Sequence, residues 1–496
     1  VKKRSTAICR QVEGGAGNIQ DIYPLSPLQE GIFFHHRMSE AHDPYIIPIL
    51  IKFSDQQKLA SFLHALDKVV ERHDVFRTSI HWQDLATSVQ VVHRTATVPL
   101  HWQVVTPGLS ALETLQQVAL ERHDMQLDRA PMMQAIAVKG AETETCFLLL
   151  KQHHLLSDQI SVLLQIEEMQ ALLEDPTAVL PTPVQYREFV AHSLRVNQSD
   201  KGVDYFKTKL SGIVETTAPF GLLNVYHDGL AVDSAGELAG PHLAQQIIGL
   251  ASQRRISTAN IFHLAWALVV AKCSGKDDIV FGSMMSGRMQ AIRGSDRILG
   301  MLINLLPVRI NLVNLSVDEA LTQMSDELIE LTDYEHFPLS EALRYSSLPG
   351  TTPLFTSLLN FRHKNKLAMA NQSHHFDIIE AREYTNYPLE MGIDQLDNDF
   401  MMQVHVEPQV GAVNVLTYMR TALVAIINAL NQAPQTSLLT LSITPINEQQ
   451  RIINAFNSPV VVYDKTATVH QRFECQAAKN AGSDRCGMWR TSYDLY

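Results

Sequence analysis

Hydrophobic and polar positions follow two periods along this chain. Over 59–72, Phe62, Leu63, Leu66, Val69 and Val70 recur three and four residues apart, which predicts a helix with one apolar stripe. A second helix is predicted over 26–38. Ser26 caps it, Pro27 takes the first helical position, and Gln29 stands three residues beyond the cap. The apolar, β-branched run 45–53 and the stretch 88–92 read as strands. A short buried strand is predicted over 146–152. It runs directly into His153-His154-Leu-Leu-Ser-Asp158-Gln159, and a helix over 160–173 follows, striped by Val162, Leu163, Ile166 and Met169. The two histidines therefore fall between a strand and a helix. Pro and Thr crowd 176–183, which marks a crossing between two halves. Beyond it come an apolar helix over 256–272, strands over 278–285, 303–312, 354–361 and 400–406, and a helix over 415–430. Such alternation predicts stacked α/β layers.

Composition narrows the function. With 46% hydrophobic and 19% charged residues over 496 positions, the chain is that of an ordinary globular protein with ample core. Forty basic against 52 acidic side chains give 40 − 52 = −12, a balance that disfavours nucleic acid as a partner. The cysteines (Cys9, Cys146, Cys273, Cys475, Cys486) form no CxxC pair and no zinc-spaced cluster, as expected of a reducing, cytoplasmic compartment. No apolar run approaches the roughly 18 residues of a membrane span. Residues 1–11 lack a signal-peptide pattern, and Gly14, Gly15 and Gly17 mark 1–18 as linker.

The chemistry concentrates in His153-His154-x-x-x-Asp158. Neighbouring side chains on an extended segment point opposite ways, so one histidine can face a cleft while the other packs inside. A buried Asp158 would need a cationic partner. Imidazole, with an ordinary pKa of about 6.5, suits proton transfer near neutrality. The same residues also fit a satisfied core histidine and a helix-capping aspartate. Zinc lacks a third ligand at a telling spacing. Gly282-Ser-Met-Met-Ser-Gly287 is not a nucleophile elbow, and no phosphate-binding glycine motif occurs. His35 and His36 close the 26–38 helix, where histidine suits the helix dipole.

Several motifs occur in one order: Tyr23 to His36, Arg72-His73-Asp-Val-Phe-Arg77-Thr78, His153-His154-x-x-x-Asp158, Tyr186-Arg-Glu-Phe189, Phe281-Gly282 to Gly287-Arg288, Leu299-Gly300 to Asn304, and Asn386-Tyr387-Pro388-Leu389. This order resembles condensation domains of nonribosomal peptide synthetases, from about residue 19 to 455. His35-His36-Arg-Met-Ser-Glu-Ala-His42-Asp43 is similar to the extra HHx5GD motif of dual epimerisation/condensation domains. Thr217 to Leu223 and Gly287 to Gln290 are similar to that subgroup as well. His42 replaces its Gly, Gln159 replaces the Gly of HHxxxDG, and Leu305 replaces the Thr after Asn304.

The resemblance implies an α/β fold of two chloramphenicol-acetyltransferase-like subdomains, a V-shaped pseudo-dimer with a central tunnel. It implies an N-terminal subdomain over 19–180, a C-terminal one over 181–460, and over 461–496 a linker and the start of an adenylation-like domain. His154 would be the tunnel base, His153 would orient the turn, and Asp158 would pair with Arg288. His35, His36 and Asp43 would support epimerisation, and Gln159 and Asn304 would lie along the tunnel. No intrinsic cofactor or metal is implied. Upstream and downstream peptidyl carrier proteins would bring the substrates on phosphopantetheine arms, with an adenylation domain adjacent. A plain condensation domain and a non-catalytic carrier-docking platform are the alternatives.

Overall fold

The computed structural model describes residues 8–38, 43–121, 125–140, 144–198, 200–225, 232–289, 292–349, 352–363, 375–381, 385–457 and 466–479, and the backbone of the short strands Cys486–Met488 and Thr491–Tyr493. The chain divides into one unit ending at Ile443 and another beginning at Thr444. The second holds the helices Ile446–Phe456 and Val469–Lys479. Most of the tail after residue 480, like His42 and Gln290, lies outside the described residues.

Two larger sheets organise the first unit. A five-stranded sheet runs in the order Asp377–Ala381, Ile46–Phe53, Cys146–His153, Met133–Lys139, Leu100–Trp102. Leu148 and Leu150 project into a core with the Gln56–Arg72 helix, while Leu149 projects the other way against Leu115 of the Ala111–Leu120 helix. Both faces are covered, so the strand reads as one continuous apolar run and still obeys the two-residue alternation.

The six-stranded sheet runs Asn304–Asn311, Asp278–Met285, Ser357–His363, Leu389–Gln395, Phe400–Val406, Asp233–Leu238. Its core includes the Thr258–Ser274 helix, in which every residue from Asn260 to Ala271 is buried. The Ala412–Gln432 helix corrects one expectation, because it is long and apolar enough to cross a membrane by length and composition. Val415, Met419, Ala422, Leu423, Ile426 and Leu430 instead bury its apolar side in the same core.

Chain segments cross the 180/181 position in space. Strand Asp377–Ala381 pairs antiparallel with Ile46–Phe53, and Tyr186, Phe189, Ile298, Leu299, Met301, Leu302 and Phe376 pack in the first core. Residues 8–18 are more than spacer, since Ile8 and Val12, one helical turn apart, bury against Val91. The 159–174 helix also differs from expectation. Its buried positions are Ser161, Gln165 and Met169, and Val162, Leu163 and Ile166 are only half-buried. The polar side faces inward because it serves the turn described next.

Candidate active site

His153 ends the Cys146–His153 strand and His154 opens a single 3-10 turn, His154–Leu156. Asp158 then caps the Gln159–Glu174 helix by accepting the Ser161 amide at 2.8 Å. Strand, turn and capped helix hold the pair from both sides.

The two rings are both buried and bond to different partners. His153 is fully buried. Its Nδ1 accepts the Leu155 amide at 3.1 Å, so its proton sits on Nε2 and is donated to Asp43 Oδ2 at 3.0 Å. Burial pushes His153 down from the ordinary imidazole value despite Asp43. His154 takes the other tautomer. Its Nδ1 lies 2.7 Å from the Ser157 carbonyl, which can only accept, so Nδ1 carries the hydrogen and Nε2 is the basic nitrogen. His154 is 7% exposed.

Asp158 is buried and receives the cation its burial requires. Arg288 Nη2 donates to both carboxylate oxygens at 3.0 Å, and Arg288 Nη1 donates to the Ser295 and Ile298 carbonyls at 2.7 and 3.0 Å. The Leu302 amide completes the set at 3.2 Å. Ser161 adds a second clasp: its hydroxyl donates to Gly300 O at 2.8 Å while the Gly300 amide donates to Ser161 Oγ at 2.9 Å. Two glycines permit this closeness. A Cβ on Gly287, at φ +64°, would run into the Leu302 carbonyl, and one on Gly300 would strike the Tyr186 ring. Tyr186 OH in turn donates to Met301 O at 2.7 Å.

The Pro27–Met38 helix reaches the turn at both ends. Near its start, Gln29 Nε2 donates to Leu155 O at 2.8 Å while Gln29 Oε1 accepts the Ser26 amide at 2.9 Å. At its far end, His36 Nδ1 donates to Asp43 Oδ2 at 2.5 Å. Burial alone would raise Asp43, but hydrogen bonds from His153 and His36 outweigh it and hold the carboxyl well below the usual range. His35 is half-buried, its ring 6.2 Å from that of Tyr45, and burial lowers it.

His36, Asp43 and His153 offer three ligand atoms within 4.8 Å of one another, a set that sequence spacing did not reveal. Ligation through His153 Nε2 would move its proton to Nδ1, against the Leu155 amide. The arrangement therefore reads as a hydrogen-bonded triad.

Of the remaining expected residues, Gln159 is half-buried at the first helical position. Asn304 is buried, and its Nδ2 donates to the Glu335 and Phe337 carbonyls at 3.0 and 2.7 Å, so its amide braces a loop. Arg72 binds Glu168 and the Pro181 carbonyl, and Arg77 binds Gln20 and carbonyls of the first half. Sequence reasoning missed Tyr45, Ser157 and Ser161, and read Gln29 only as the capping partner of Ser26. All four act on or through backbone atoms, which a pattern of side chains does not report.

Comparison with known proteins fits this geometry. The family model described as the condensation domain matches residues 19–453. The chain is 32% identical over 473 residues to Malpibaldin synthetase of Mortierella alpina, covering 95% of this chain and 8% of the relative. It is 31% identical over 479 residues to Malpinin synthetase of the same organism, covering 95% of this chain and 6% of the relative. The chain thus spans less than a tenth of either relative's length. Among solved structures, a four-domain nonribosomal peptide synthetase bound to AMP and glycine superposes with a TM-score of 0.75 at 13% identity, over 94% of this chain and 37% of that one. The condensation domain of the Monacolin K polyketide synthase gives 0.66 at 18% identity, over 85% of this chain and all of that one. A turn fixed by an Asp–Arg pair, on a two-sheet α/β scaffold that this family model matches almost end to end, makes the chain a member of the condensation-domain family.

Proposed function

We propose that this chain forms an amide bond between two thioesters carried on the phosphopantetheine arms of an upstream and a downstream peptidyl carrier protein, and that it first inverts the donor's α-carbon. The observation that carries the first part is the His154 tautomer: Nδ1–H is committed to Ser157 O, so Nε2 is the nitrogen able to take a proton. The acceptor amine attacks the donor carbonyl, its N–H proton passes to His154 Nε2, and the C–S bond breaks as the departing sulfur takes that proton. Holding two tethered reactants together supplies further rate. In this reading 19–180 and 181–460 are the two halves around the tunnel, 1–18 joins a preceding domain while Ile8 and Val12 pack against Val91, and 461–496 leads into an adenylation-like domain. Arms arrive with the carriers, so the domain itself supplies no cofactor.

The inversion uses the same base. The thioester acidifies the donor Cα–H, His154 Nε2 removes that proton, a water proton is delivered to the other face of the enolate, and His154 returns its proton to the hydroxide so formed. Support comes from the likeness of the 35–43 stretch to dual domains, together with the contacts of His36 and Asp43 on the buried side of the turn. The triad ends at the Leu155 amide, so it supports the turn's shape rather than relaying protons to His154.

The test loads the upstream carrier with an L-configured donor and the downstream carrier with an amino acid, in deuterated water. A D-configured, α-deuterated donor residue in the product, absent with His154→Ala, is the expected result. An L-configured, undeuterated product would reduce the chain to plain condensation. Tight carrier binding with no product would make it a docking platform.

A further inference from the structure

Resting on that role for His154, we infer that Tyr45 is a positioning residue for His154 and that Asn386 holds it in place from the second sheet. Tyr45 touches the site three times. Its carbonyl accepts the His154 amide at 2.7 Å, its own amide donates to Asp43 Oδ1 at 3.0 Å, and its hydroxyl donates to Asn386 Oδ1 at 2.9 Å. One residue thus fixes the backbone of the reacting histidine and the carboxylate that holds its neighbour. Tyr45 is 8% exposed, and burial raises its hydroxyl pKa, so the group remains a neutral donor.

Asn386 extends this hold across the molecule. It is buried, and its Nδ2 donates to Val225 O at 2.8 Å, so both halves of its amide are engaged. It lies three residues before the Leu389–Gln395 strand of the six-stranded sheet. The adjacent Tyr387 ring stacks on Phe355 at 5.7 Å and 12°. Any shift of this segment is passed through one hydroxyl to the peptide group that places His154. A displacement of about 1 Å matters at a reacting centre, and the Tyr45–Asn386 bond is a direct side-chain link from the second sheet's segment to the turn's anchor.

The experiment measures single-turnover amide formation with saturating loaded carriers, on the whole chain, for Tyr45→Phe, Asn386→Ala, the double variant and His154→Ala. Each single variant is expected to lower the rate roughly tenfold, while the carrier concentration at half-maximal rate and the unfolding midpoint stay near those of the parent. The double variant should lose no more than the worse single variant, because both remove one link. Parent-like rates for Tyr45→Phe, or fully additive losses in the double variant, would overturn the inference. So would a fall in carrier affinity or midpoint that accounts for the lost rate. Full activity in His154→Ala would overturn both this inference and the function it rests on, whereas an inactive His154→Ala beside a fully active Tyr45→Phe would overturn this inference alone.

Discussion

Two carboxylates bracket the His153–His154 pair, and they are held by different chemistry. Asp158 leans on a guanidinium and backbone amides. Asp43 leans on two imidazoles and one amide. The first arrangement is a fixed fastening between the 153–158 turn and the 287–302 segment. The second depends on imidazole hydrogen bonds, and burial pushes one of the two, His153, below the ordinary imidazole value. Similar burial and the same residue type therefore give one permanent support and one conditional support.

The largest expected effect tests the permanent side. Asp158→Ala leaves Arg288 buried without its partner and should cost about 3–5 kcal/mol in denaturant-induced unfolding. Arg288→Lys should recover little of the loss seen in Arg288→Ala, because one ammonium cannot reach both the carboxylate and the two carbonyls. Asp43→Ala should cost less, about 1–3 kcal/mol, since it removes hydrogen bonds to two imidazoles, one of them partly exposed. If Asp43→Ala proved the more damaging, the contrast would be reversed.

Acid sharpens the comparison. Burial pushes His153 down, and His93, His263 and His336 are pushed down to about 4. An unfolded histidine takes its proton near 6.5, so the unfolded chain binds protons first as pH falls. Stability from these groups is complete above about pH 6.5 and declines toward pH 4, by at most about 1.4 kcal/mol per pH unit for each histidine. His153→Asn should flatten the measured slope by one histidine's share. An unchanged slope would place His153 outside this account. The smallest effect is expected at His36, which is partly exposed. His36→Ala should slow epimerisation severalfold more than condensation in the deuterium assay, and equal losses would remove its supporting role.

Much of this site was legible in residue order. The cost of a buried carboxylate called for a cation, found at Arg288. What escaped was contact without local periodicity. The Asp377–Ala381 strand joins a sheet more than 300 residues earlier in the chain, which no window of sequence spacing reports. The helix after Asp158 buried Ser161 and Gln165 where its apolar stripe predicted Val162 and Ile166, because the hydroxyl of Ser161 is needed by Gly300. Tyr45 looked like the first residue of a strand, and its importance lies in backbone atoms every residue possesses.

The most direct test sets His154→Ala beside Asp158→Ala, recording amide formation and the unfolding midpoint for each. The account predicts a normally stable His154→Ala with activity reduced at least about a hundredfold, and an Asp158→Ala that loses activity together with stability. A fully stable but inactive Asp158→Ala, or an active His154→Ala, would contradict it.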